Sequence, residues 1–247
     1  MDSVTIVTGG SRGIGRATSL AAAKRGYKVV VGYASNKAAA DEVVAKIESS
    51  NGNAIAVKCD VGIEVDILDL FKKADAFGKL GVLVNNAGVV DMTARVDEMS
   101  ASRLTRMMNI NIVGSILCAR EAVKRMSSKH GGTGGVIVNI SSVAATLGSP
   151  GQYVDYAASK GAIDTFTVGL AREVSAEGIR VNAIRPGLID TEIHASGGEP
   201  GRAQKLAHMV PMKRVGTAEE IANAVVWLMS DDASYVTGTI FDVSGGR

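Results

Sequence analysis

The sequence predicts a single α/β domain in which a parallel sheet of seven strands is flanked by helices on both faces. Two observations indicate this fold class. Seven short runs rich in Val and Ile are mostly apolar throughout, which is typical of strands buried on both faces. A longer segment with a helical period separates each run from the next, as right-handed crossovers between parallel strands require. Together they predict the doubly wound, or Rossmann, architecture.

The predicted strands recur along the whole chain. They are Val4–Thr8, Lys28–Tyr33, Ala54–Cys59, Val82–Asn85, Val136–Ser141, Arg180–Arg185 and Thr239–Val243. Helix-forming segments fill the intervals, and the first of them runs from Arg16 to Lys24. The chain has 247 residues, 46% of them apolar, which is enough for one core, so we expect residues 1–247 to form a single dinucleotide-binding and catalytic domain. Ligands of doubly wound folds bind beyond the carboxyl ends of the strands, so the residues after each strand are candidates for chemistry.

Charge, hydropathy and cysteine content exclude several classes of protein. The formal net charge is +2 and both signs are spread along the chain, so no basic surface for nucleic acid is predicted. No segment approaches the ~20 uninterrupted apolar residues of a membrane span. The start of the chain lacks a signal-peptide pattern, so we expect a cytoplasmic protein. Cys59 and Cys118 match no metal or redox spacing, and we expect buried free thiols and no metal site.

A glycine-rich turn joins the first strand to the first helix. It reads Thr8-Gly9-Gly10-Ser11-Arg12-Gly13-Ile14-Gly15. The glycines allow a tight turn, a close approach of the backbone to a pyrophosphate, and close packing of the helix on the strand, while the helix N-terminus supplies N–H donors. Since this turn follows the first strand of an alternating pattern, it predicts a dinucleotide site.

Tyr156 and Lys160 carry the strongest indication of catalysis. They lie four positions apart on a predicted helix, so both can face one reacting atom. A phenol has a pKa near ~10, and a neighbouring cation favours the phenolate and brings the group toward the working range of an acid/base catalyst. Tyr153 is the rival phenol, but Ala157 stands four residues after it. Tyr153 therefore lacks a cation partner and is expected to form part of a cleft wall.

These features, with three further motifs, resemble the short-chain dehydrogenase/reductase family. The further motifs are Asn85-Asn86-Ala87-Gly88 after the fourth strand, Ser141-Ser142 after the fifth, and Pro186-Gly187 with Thr191 after the sixth. The five motifs occur in the family's order and near its spacing. Within the family, the chain looks closest to 3-oxoacyl-(acyl-carrier-protein) reductases and glucose-dehydrogenase-like oxidoreductases. The resemblance implies hydride transfer between a nicotinamide and a carbonyl/alcohol pair, which the fold alone would not establish.

The resemblance implies roles for the residues at the reacting atoms. Tyr156 acts as the general acid in reduction, while Lys160 holds the nicotinamide ribose and, together with the cationic oxidised ring, lowers the pKa of the tyrosine. Ser142 hydrogen-bonds the substrate oxygen and supports its developing charge. The spacing from Ser142 to Tyr156 is one residue longer than in the family, so Ser141 stays open as the alternative.

Asn111 is a fourth catalytic candidate. Asparagine is a poor helix former, so within the apolar helical run Met107 to Val123 it needs a buried partner. The resemblance implies a role for it, as the asparagine that holds a water linking the lysine to solvent. Asn109, two positions away and on a different face of the helix, is the competing choice.

NADP(H) is expected in preference to NAD(H). A site that selects NAD normally offers a carboxylate about 20 residues beyond the glycine turn, where it binds the ribose 2′-hydroxyl. Here the segment after the second strand reaches its first acid only at Asp41. Arg12 is placed where family members place the base that pairs with a 2′-phosphate, and Ser35, Asn36 and Lys37 can add donors. For Lys37, a solvated lysine at a helix start remains the alternative.

The resemblance completes the predicted cofactor site. Asp60 and Val61 stand where related chains contact adenine, and Ile189 and Thr191 stand where they hold the carboxamide. The full predicted set is Gly9, Ser11, Arg12, Gly13, Ile14, Gly15, Ser35, Asn36, Asp60, Val61, Asn86, Ala87, Gly88, Tyr156, Lys160, Pro186, Gly187, Ile189 and Thr191.

A substrate lid is expected at about residues 191–214, since this connection is long and rich in glycine. Side chains of interest within it are His194, Ser196, His208, Met209 and Met212. For the two histidines, solvated side chains on a loop are the simpler interpretation.

A homotetramer is expected from the helix that carries Tyr156. An apolar stripe recurs every four residues on the face roughly opposite the catalytic pair, at Ala158, Ala162, Phe166, Leu170 and Val174. The stripe resembles the paired long helices through which related enzymes form twofold-symmetric tetramers. Burial against a neighbouring helix of the same chain is the alternative.

Three functions remain open at this point. The leading one is an NADP(H)-dependent reductase of a small carbonyl compound, and the second is an NAD(P)-linked glucose- or polyol-type dehydrogenase. The third is a non-enzymatic dinucleotide-sensing or scaffold protein, against which the Asn/Ser/Tyr/Lys set argues. An acyl-carrier-protein partner would need a basic surface, and Arg125, Lys129 and Arg172 have the right sign, although scattered helix cations are usually solvated.

Overall fold

A computed structural model of the chain describes residues 3–193 and 197–247. The seven predicted strands form one parallel sheet in the order β3-β2-β1-β4-β5-β6-β7, which confirms the doubly wound fold. They are β1 (Ser3–Val7), β2 (Lys28–Tyr33), β3 (Ala54–Lys58), β4 (Lys79–Asn85), β5 (Gly135–Ile140), β6 (Ile179–Pro186) and β7 (Ile240–Val243). The strand order reverses between β1 and β4, so ligands are expected in the crevice at the carboxyl ends of these strands.

Helices connect the strands and cover both faces of the sheet. They are α1 (Gly13–Lys24), α2 (Lys37–Glu48), α3 (Glu64–Phe77), α4 (Ala101–Met108), α5 (Gly114–Met126), α6 (Ala144–Leu147), α7 (Val154–Val174), α8 (Arg202–Leu206) and α9 (Ala218–Met229). The first helix begins at Gly13 and not at Arg16, because the second half of the glycine-rich turn is already helical. Within the described ranges, no helix has both the length and the hydrophobicity to cross a bilayer.

The fourth strand begins at Lys79, before the predicted start at Val82. The reason is Gly81, which sequence patterns treat as a strand breaker. In the structure the Ser3 side chain occupies the space beside Gly81, since a Cβ there would lie 2.1 Å from Ser3 Oγ. Glycine therefore permits the close approach of β1, and the pairing register shifts nearby, between Val4 and Thr5.

The apolar helical run from Met107 to Val123 is not one helix. α4 ends at Met108, a π-helical turn spans Asn109–Val113, and α5 begins at Gly114. Such turns insert one extra residue and are frequent at functional sites. Gly114 is required here because a Cβ at that position would lie 2.4 Å from the Val61 carbonyl oxygen. The turn places Asn111 inside the protein.

The core consists of two apolar layers, one on each face of the sheet. Along β2, Val29 and Val31 face the layer under α1, α2 and α9, while Val30 faces the layer under α3, α5 and α7. Each such side chain contributes about 1.5–3 kcal/mol through its burial. Cys59 and Cys118 are buried free thiols, as predicted, and burial raises the pKa of Cys59 to about 12.

Candidate active site

A cleft of about 520 Å³ opens at the carboxyl ends of the parallel strands. The segments that follow β1 to β6 line it, so residues that are distant in sequence meet there. Apart from Gly15, every residue predicted to bind the cofactor lines this cleft: Gly9, Ser11, Arg12, Gly13, Ile14, Ser35, Asn36, Asp60, Val61, Asn86, Ala87, Gly88, Tyr156, Lys160, Pro186, Gly187, Ile189 and Thr191. Of the predicted catalytic residues, Ser142, Tyr156 and Lys160 line it, and Asn111 is buried behind its wall.

The glycine-rich turn after β1 requires glycine for two different reasons. Gly9 has a φ of +62°, in the left-handed region that side chains with a Cβ rarely adopt. Gly15 has no room for a side chain, because a Cβ there would lie 2.2 Å from the Gly9 carbonyl oxygen. Gly15 therefore lies beneath the turn, outside the cleft, and permits close packing of α1.

The N-terminus of α1 forms part of the cleft wall. The side chain of its N-cap residue, Arg12, does not cap the helix, and the first turn contains no acidic residue. The first backbone N–H groups and the positive end of the helix dipole are therefore not neutralised by these residues. Ser11, Gly13 and Ile14 line the cleft beside them. This arrangement fits a phosphate group of a dinucleotide.

The segment after β2 brings no carboxylate into the cleft. Ser35 and Asn36 line the cleft, and Asn36 also caps α2. Asp41 instead binds Lys37, with 2.7 Å between Nζ and Oδ2, and both side chains are exposed. Arg12 is exposed and lines the cleft, and among residues 3–193 and 197–247 no acidic side chain pairs with it. The segment after β2 therefore offers donors, and no acid, to the cleft.

Asn86 holds the glycine-rich turn in place. Its Nδ2 donates to the carbonyl oxygens of Thr8 at 2.9 Å and of Gly9 at 3.1 Å. In return, Thr8 Oγ1 accepts hydrogen bonds from the backbone N–H groups of Asn86 and Ala87, each at 3.0 Å. Asn86 thus joins the ends of β1 and β4 at the point where the strand order reverses.

Tyr156 lies near the start of α7 with its ring partly buried in the cleft. Burial raises the pKa of its hydroxyl above 10.0, and a hydrogen bond with the Ser142 side chain lowers it by less. The Lys160 ammonium lies over the ring, 5.6 Å from its centroid. The expectation that Lys160 and an oxidised nicotinamide together lower this pKa concerns the protein with its cofactor bound and stays a prediction. Because burial dominates, Tyr156 stays protonated at neutral pH.

Lys160 is buried, and its Nζ donates to the Ile140 carbonyl oxygen at 2.7 Å. Burial lowers the pKa of Lys160 to about 8, and the negative charge of Asp164, one helical turn further on, opposes this shift. Asp164 is itself buried and binds Arg185 of β6, with 2.9 Å between Oδ2 and Nε. Asp164 is not among the predicted site residues, although an acid four positions after a catalytic lysine is a signal that could have found it.

The two serines after β5 have different partners. Ser141 is buried, and its Oγ donates to the Lys160 carbonyl oxygen at 3.2 Å. Ser142 Oγ accepts from the backbone N–H of Ala144 at 3.1 Å, and the Ser142 side chain lies near enough to Tyr156 to lower the pKa of the phenol. Of the two serines, Ser142 is the one that acts on the pKa of the tyrosine.

Asn111 binds one backbone segment through both ends of its amide. Its Oδ1 accepts from the Val89 N–H at 2.8 Å, and its Nδ2 donates to the Val89 carbonyl oxygen at 3.0 Å. Nδ2 also contacts Ser159 Oγ at 3.0 Å. Asn111 therefore has the buried partners that its place in an apolar helical run requires, in the cleft wall and in α7. Asn109, the competing choice, is exposed.

A buried ion pair next to Tyr156 escapes prediction from the sequence. Arg103 of α4 binds Asp155 of α7 through two hydrogen bonds, Nε–Oδ2 at 2.8 Å and Nη2–Oδ1 at 3.1 Å. Its Nη1 donates to the Met92 carbonyl oxygen at 2.6 Å. Burial acts to raise the pKa of Asp155, but the Arg103 hydrogen bonds, a hydrogen bond from the Tyr156 backbone N–H and the charge of Arg103 together outweigh it and lower the pKa. The pair connects the start of the catalytic helix to the cleft wall.

A second unpredicted network surrounds Tyr153, which lines the cleft as expected. Its hydroxyl lies 3.0 Å from Thr93 Oγ1, and Thr93 Oγ1 donates to a Glu199 carboxylate oxygen at 2.7 Å. Arg202 Nη1 binds the other carboxylate oxygen at 2.8 Å. The Arg202 guanidinium lies 5.1 Å from the centroid of the Tyr153 ring. The network joins the segment of Glu199 and Arg202 to the cleft wall.

Two of the residues singled out in the predicted lid, His194 and Ser196, lie outside the described residues. His208 is exposed, and its Nδ1 contacts the Lys205 carbonyl oxygen at 3.0 Å. This position agrees with a solvated histidine.

The fold and the cleft together define a class of protein, the nicotinamide-dependent oxidoreductases of doubly wound architecture. A family model described as Enoyl-(Acyl carrier protein) reductase matches residues 9–247 of the chain. The chain belongs to the short-chain dehydrogenase/reductase family, as its motifs indicate, and is an NAD(P)-dependent dehydrogenase or reductase.

Curated relatives match the chain over nearly its whole length. The oxidoreductase YgfF of Escherichia coli (strain K12) is 54% identical over 245 residues, covering 99% of each chain. A 3-oxoacyl-[acyl-carrier-protein] reductase of Synechocystis is 40% identical over 245 residues, covering 98% of this chain and 96% of the relative. Glucose 1-dehydrogenase 2 of Bacillus subtilis is 40% identical over 242 residues, covering 98% and 93%.

Solved structures share the fold closely. A short chain dehydrogenase from Burkholderia cenocepacia J2315, in complex with NADP, is 30% identical with a TM-score of 0.90, and the match covers 99% of this chain and 97% of that one. A blue fluorescent protein from a metagenomic library, in complex with NADPH, is 32% identical with a TM-score of 0.89 and the same coverage.

We expect Asp164→Asn to lower the pKa of Lys160 below about 8, because it removes the negative charge that favours the ammonium. The unfolded chain keeps lysine at its ordinary pKa of 10.5, so between the two values it binds a proton that folded Lys160 has lost. The free energy of unfolding therefore has a component that rises with pH across this window. In the variant the rise should begin at lower pH.

Urea denaturation across this pH range measures the effect, with Lys160→Met as the reference that lacks the component. Asp242→Asn is the matched control, because Asp242 also contacts Arg185, at 3.5 Å, but is exposed. It should leave the onset unchanged. An onset in Asp164→Asn equal to that of the native protein would contradict the role of Asp164.

Proposed function

We propose that the protein is an NADP(H)-dependent reductase that transfers a hydride between the nicotinamide and a carbonyl or secondary alcohol carbon of a small molecule. One observation carries the proposal: Tyr156, Ser142 and Lys160 line the same cleft, with the Lys160 ammonium over the Tyr156 ring and the Ser142 hydroxyl near enough to the phenol to lower its pKa. Two hydroxyls and an ammonium are the groups that a carbonyl oxygen needs as it becomes an alcohol. A protein that only senses or binds a dinucleotide requires none of them.

In the proposed reaction, the substrate oxygen lies between the hydroxyls of Tyr156 and Ser142. The bound cofactor supplies the hydride that reaches the carbonyl carbon. Tyr156 donates its proton to the oxygen as negative charge develops there. Ser142 donates a hydrogen bond that stabilises the same charge. In oxidation, the hydride and the proton travel in the opposite directions.

The electrostatics of the cleft favour the reductive direction. Burial raises the pKa of Tyr156, so the phenol holds the proton that reduction consumes. Oxidation would need the phenolate, which the buried position disfavours. Lys160, whose pKa is about 8, is largely charged at neutral pH and would stabilise the phenolate left after proton transfer.

Lys160 and Asn111 are proposed to hold the nicotinamide ribose and a linking water, respectively. Both side chains approach Gly88 in the cleft wall, and this proximity supports the proposal. A Cβ on Gly88 would lie 3.4 Å from Asn111 Oδ1 and 3.5 Å from Lys160 Nζ. Since Asn111 also holds the Val89 backbone, it positions this part of the wall relative to the lysine.

NADP(H) is proposed as the cofactor in preference to NAD(H). Arg12, Ser35 and Asn36 line the cleft where a 2′-phosphate would lie, and Asp41 is engaged by Lys37 away from it. A guanidinium without an acidic partner suits a phosphate dianion. The solved relatives in complex with NADP and NADPH support the choice.

Residues 191–214 are proposed to act as the substrate lid. Glu199 and Arg202, near the middle of this segment, contact Thr93 and Tyr153 on the opposite wall. A bridge between Ile189 and Gly216 connects the two bases of the segment. Such a segment can open through loss of a few polar contacts, without any change in the core.

The second candidate function is a glucose- or polyol-type dehydrogenase, which is favoured by the 40% identity with glucose 1-dehydrogenase 2 of Bacillus subtilis. The two functions differ in substrate and in favoured direction, and one substrate panel separates them.

An acyl-carrier-protein partner gains no support from Arg125, the most central of the cations named for it. This side chain binds Asp75 through Nε at 2.8 Å and Nη2 at 2.9 Å, and Glu121 through Nη1 at 3.0 Å. An arginine engaged with two acids has little charge to offer an acidic partner. We therefore propose a free small molecule as substrate.

Tyr156→Phe keeps the ring and removes the proton-carrying oxygen, so we expect turnover to be lost and NADPH binding to be retained. Ser142→Ala should lower kcat by roughly 10²–10³-fold, as loss of one oxyanion donor does. Ser141→Ala should lower kcat less, because its hydroxyl binds the Lys160 backbone and the hydrogen bond from Lys160 Nζ to the Ile140 carbonyl oxygen still aligns α7 on β5.

NADPH consumption with a panel of 3-oxoacyl thioesters, diketones, aldehydes and sugars measures these effects, and the best substrate defines the compound class. Near-native turnover in Tyr156→Phe would remove this residue from the mechanism. A larger loss in Ser141→Ala than in Ser142→Ala would reverse the choice of serine.

Arg12→Ala should weaken NADPH binding far more than NADH binding, because only NADPH carries the 2′-phosphate. The expected loss is on the order of 1.5–3 kcal/mol, as for a hydrogen bond between charged groups. Lys37→Ala is the control, since its partner is Asp41. Fluorescence titration of both cofactors measures the affinities, and NADH binding as tight as NADPH in the native protein refutes the cofactor assignment.

A homotetramer is proposed because the apolar stripe of α7 is only partly covered by its own chain. Ala158 is exposed, Ala162, Phe166 and Leu170 are half-buried, and Val174 is buried. Burial within the chain thus accounts for the end of the stripe at Val174, and the rest remains available to a partner. Val113 and Ile116 of the adjacent chain segment are also exposed, at 45% and 38%.

A second apolar surface lies at the β7 edge of the sheet. Trp227 and Phe241 form an edge-to-face ring pair with centroids 5.6 Å apart, and Trp227 is 39% exposed. Two separate apolar surfaces match the two kinds of twofold contact in a tetramer with perpendicular axes.

Ile116→Asp should split the proposed tetramer into smaller species, because it places a charge in the helix contact. Ile116 serves better than Phe166, which also packs on the chain's own core. Val65→Asp, at an apolar position on α3 that is 67% exposed against 38% for Ile116, is the control and should leave the assembly intact. Light scattering at micromolar concentration measures the mass, and a native monomer of 25.5 kDa would refute the proposal.

A further inference from the structure

Two arginines line the same cleft as Tyr156. Arg202 lies on α8 and Arg247 lies beyond β7, and the fold brings both to the cleft wall. Arg247 is partly buried. Burial lowers the pKa of Arg247, and the nearby charge of Arg202 lowers it further. The two guanidinium groups therefore repel each other in a place where water screens them poorly.

Arg202 is compensated within the protein. Its Nη1 binds a Glu199 carboxylate oxygen at 2.8 Å, its Nη2 donates to Gln152, and its guanidinium lies over the Tyr153 ring. Its side chain is 15% exposed. These contacts locate Arg202 beside Tyr153, one helical turn before Tyr156, and the charge of Arg202 acts on Arg247, which lines the same cleft.

Arg247 has no comparable partner. Within residues 3–193 and 197–247, no acidic side chain forms an ion pair with it, and none shifts its pKa upward. Glu192 also lines the cleft, but its carboxylate lies 3.5 Å from the Cβ position of Gly13, beside the glycine-rich turn. The side chains of Arg202, Arg247 and Glu199 carry an excess of positive charge, and the main-chain oxygen of Arg247 accepts a hydrogen bond from Ser244 Oγ at 3.0 Å. A partly buried guanidinium without an anion is costly, and a bound anion offsets that cost.

We propose that Arg247, with Arg202 behind it, binds a carboxylate of the substrate, so that the enzyme reduces oxo acids in preference to neutral carbonyl compounds. The inference rests on the proposed reductase function and names its substrate class. A guanidinium can grip a carboxylate through two parallel hydrogen bonds. This grip would fix the orientation of the substrate carbonyl with respect to Tyr156 and Ser142.

The cofactor phosphates are the other anions that reach the cleft. These phosphates fit the N-terminus of α1 and Arg12, where backbone N–H groups and the helix dipole are available. The contacts of Arg202 with Tyr153 and Gln152 belong to the opposite part of the cleft. The structure therefore assigns Arg247 to the substrate.

Matched substrate pairs test the inference: levulinate with methyl levulinate, and acetoacetate with methyl acetoacetate. In the native protein we expect kcat/KM for each acid to exceed that for its ester by about tenfold or more. Arg247→Ala should lower kcat/KM for the acids by about ten- to a hundredfold and leave the esters and the NADPH affinity unchanged. Arg247→Lys should recover part of the loss, since it restores the charge without the paired donors.

Lys205→Ala is the matched control, because Lys205 is an exposed cation on α8 and does not line the cleft. It should leave the preference for acids intact. Esters reduced as well as acids by the native protein would overturn the inference and leave the reductase function standing. A loss of NADPH affinity in Arg247→Ala would assign the guanidinium to the cofactor and also overturn it.

If neither acids nor esters are reduced, the result counts against the reductase function. A binding measurement then tests the inference. Calorimetric titration of levulinate into the protein saturated with NADP⁺ then measures the site directly. We expect binding that Arg247→Ala abolishes. Absence of binding, or equal binding by Arg247→Ala, overturns the inference. A preference for dihydroxyacetone phosphate over dihydroxyacetone, with none for the carboxylates, would exclude the carboxylate.

Discussion

The alignment of α7 on β5 is the constraint on which the whole site depends. Two buried hydrogen bonds set it, from Lys160 Nζ to the Ile140 carbonyl oxygen and from Ser141 Oγ to the Lys160 carbonyl oxygen. Because Ser142 follows Ser141 and Tyr156 precedes Lys160 by one turn, these bonds bring the two reactive hydroxyls together. A shift of one residue along α7 would rotate Tyr156 by about 100° and separate them. Catalytic geometry here is therefore a property of helix-to-strand packing.

The other side of the tyrosine is held by a buried ion pair. Arg103 and Asp155 are 10% and 1% exposed, and the arginine also binds the Met92 carbonyl oxygen. Breaking such a pair costs about 3–5 kcal/mol, since it leaves one charge buried alone. Asn111 acts in the same way on Val89. The start of α7 and the facing wall are thus fixed by polar contacts, which tolerate less displacement than apolar packing does.

What the sequence predicts well are features with local causes. The seven strands and the glycine-rich turn follow from runs of apolar residues and from the space that glycine leaves, and both are visible in short windows. The Arg103–Asp155 pair joins positions 52 apart and carries no periodic signature, so it could not be found. The burial that raises the pKa of Tyr156 could not be derived from its spacing to Lys160 either, because the exposure of a side chain depends on the whole fold. Sequence patterns indicate which side chains are brought together. They do not indicate how far those side chains are buried from water.

The site concentrates interactions that are unfavourable without ligands. A buried ammonium and two repelling guanidinium groups oppose folding, and the apolar layers on both faces of the sheet offset them. This arrangement predicts selectivity between ligands. A ligand that leaves a buried cation unpaired loses more free energy than one missing an apolar contact, because the desolvation cost is not recovered. The groups that weaken the empty protein are therefore the ones that can discriminate between substrates, and residues that break local folding rules are found where the chemistry takes place.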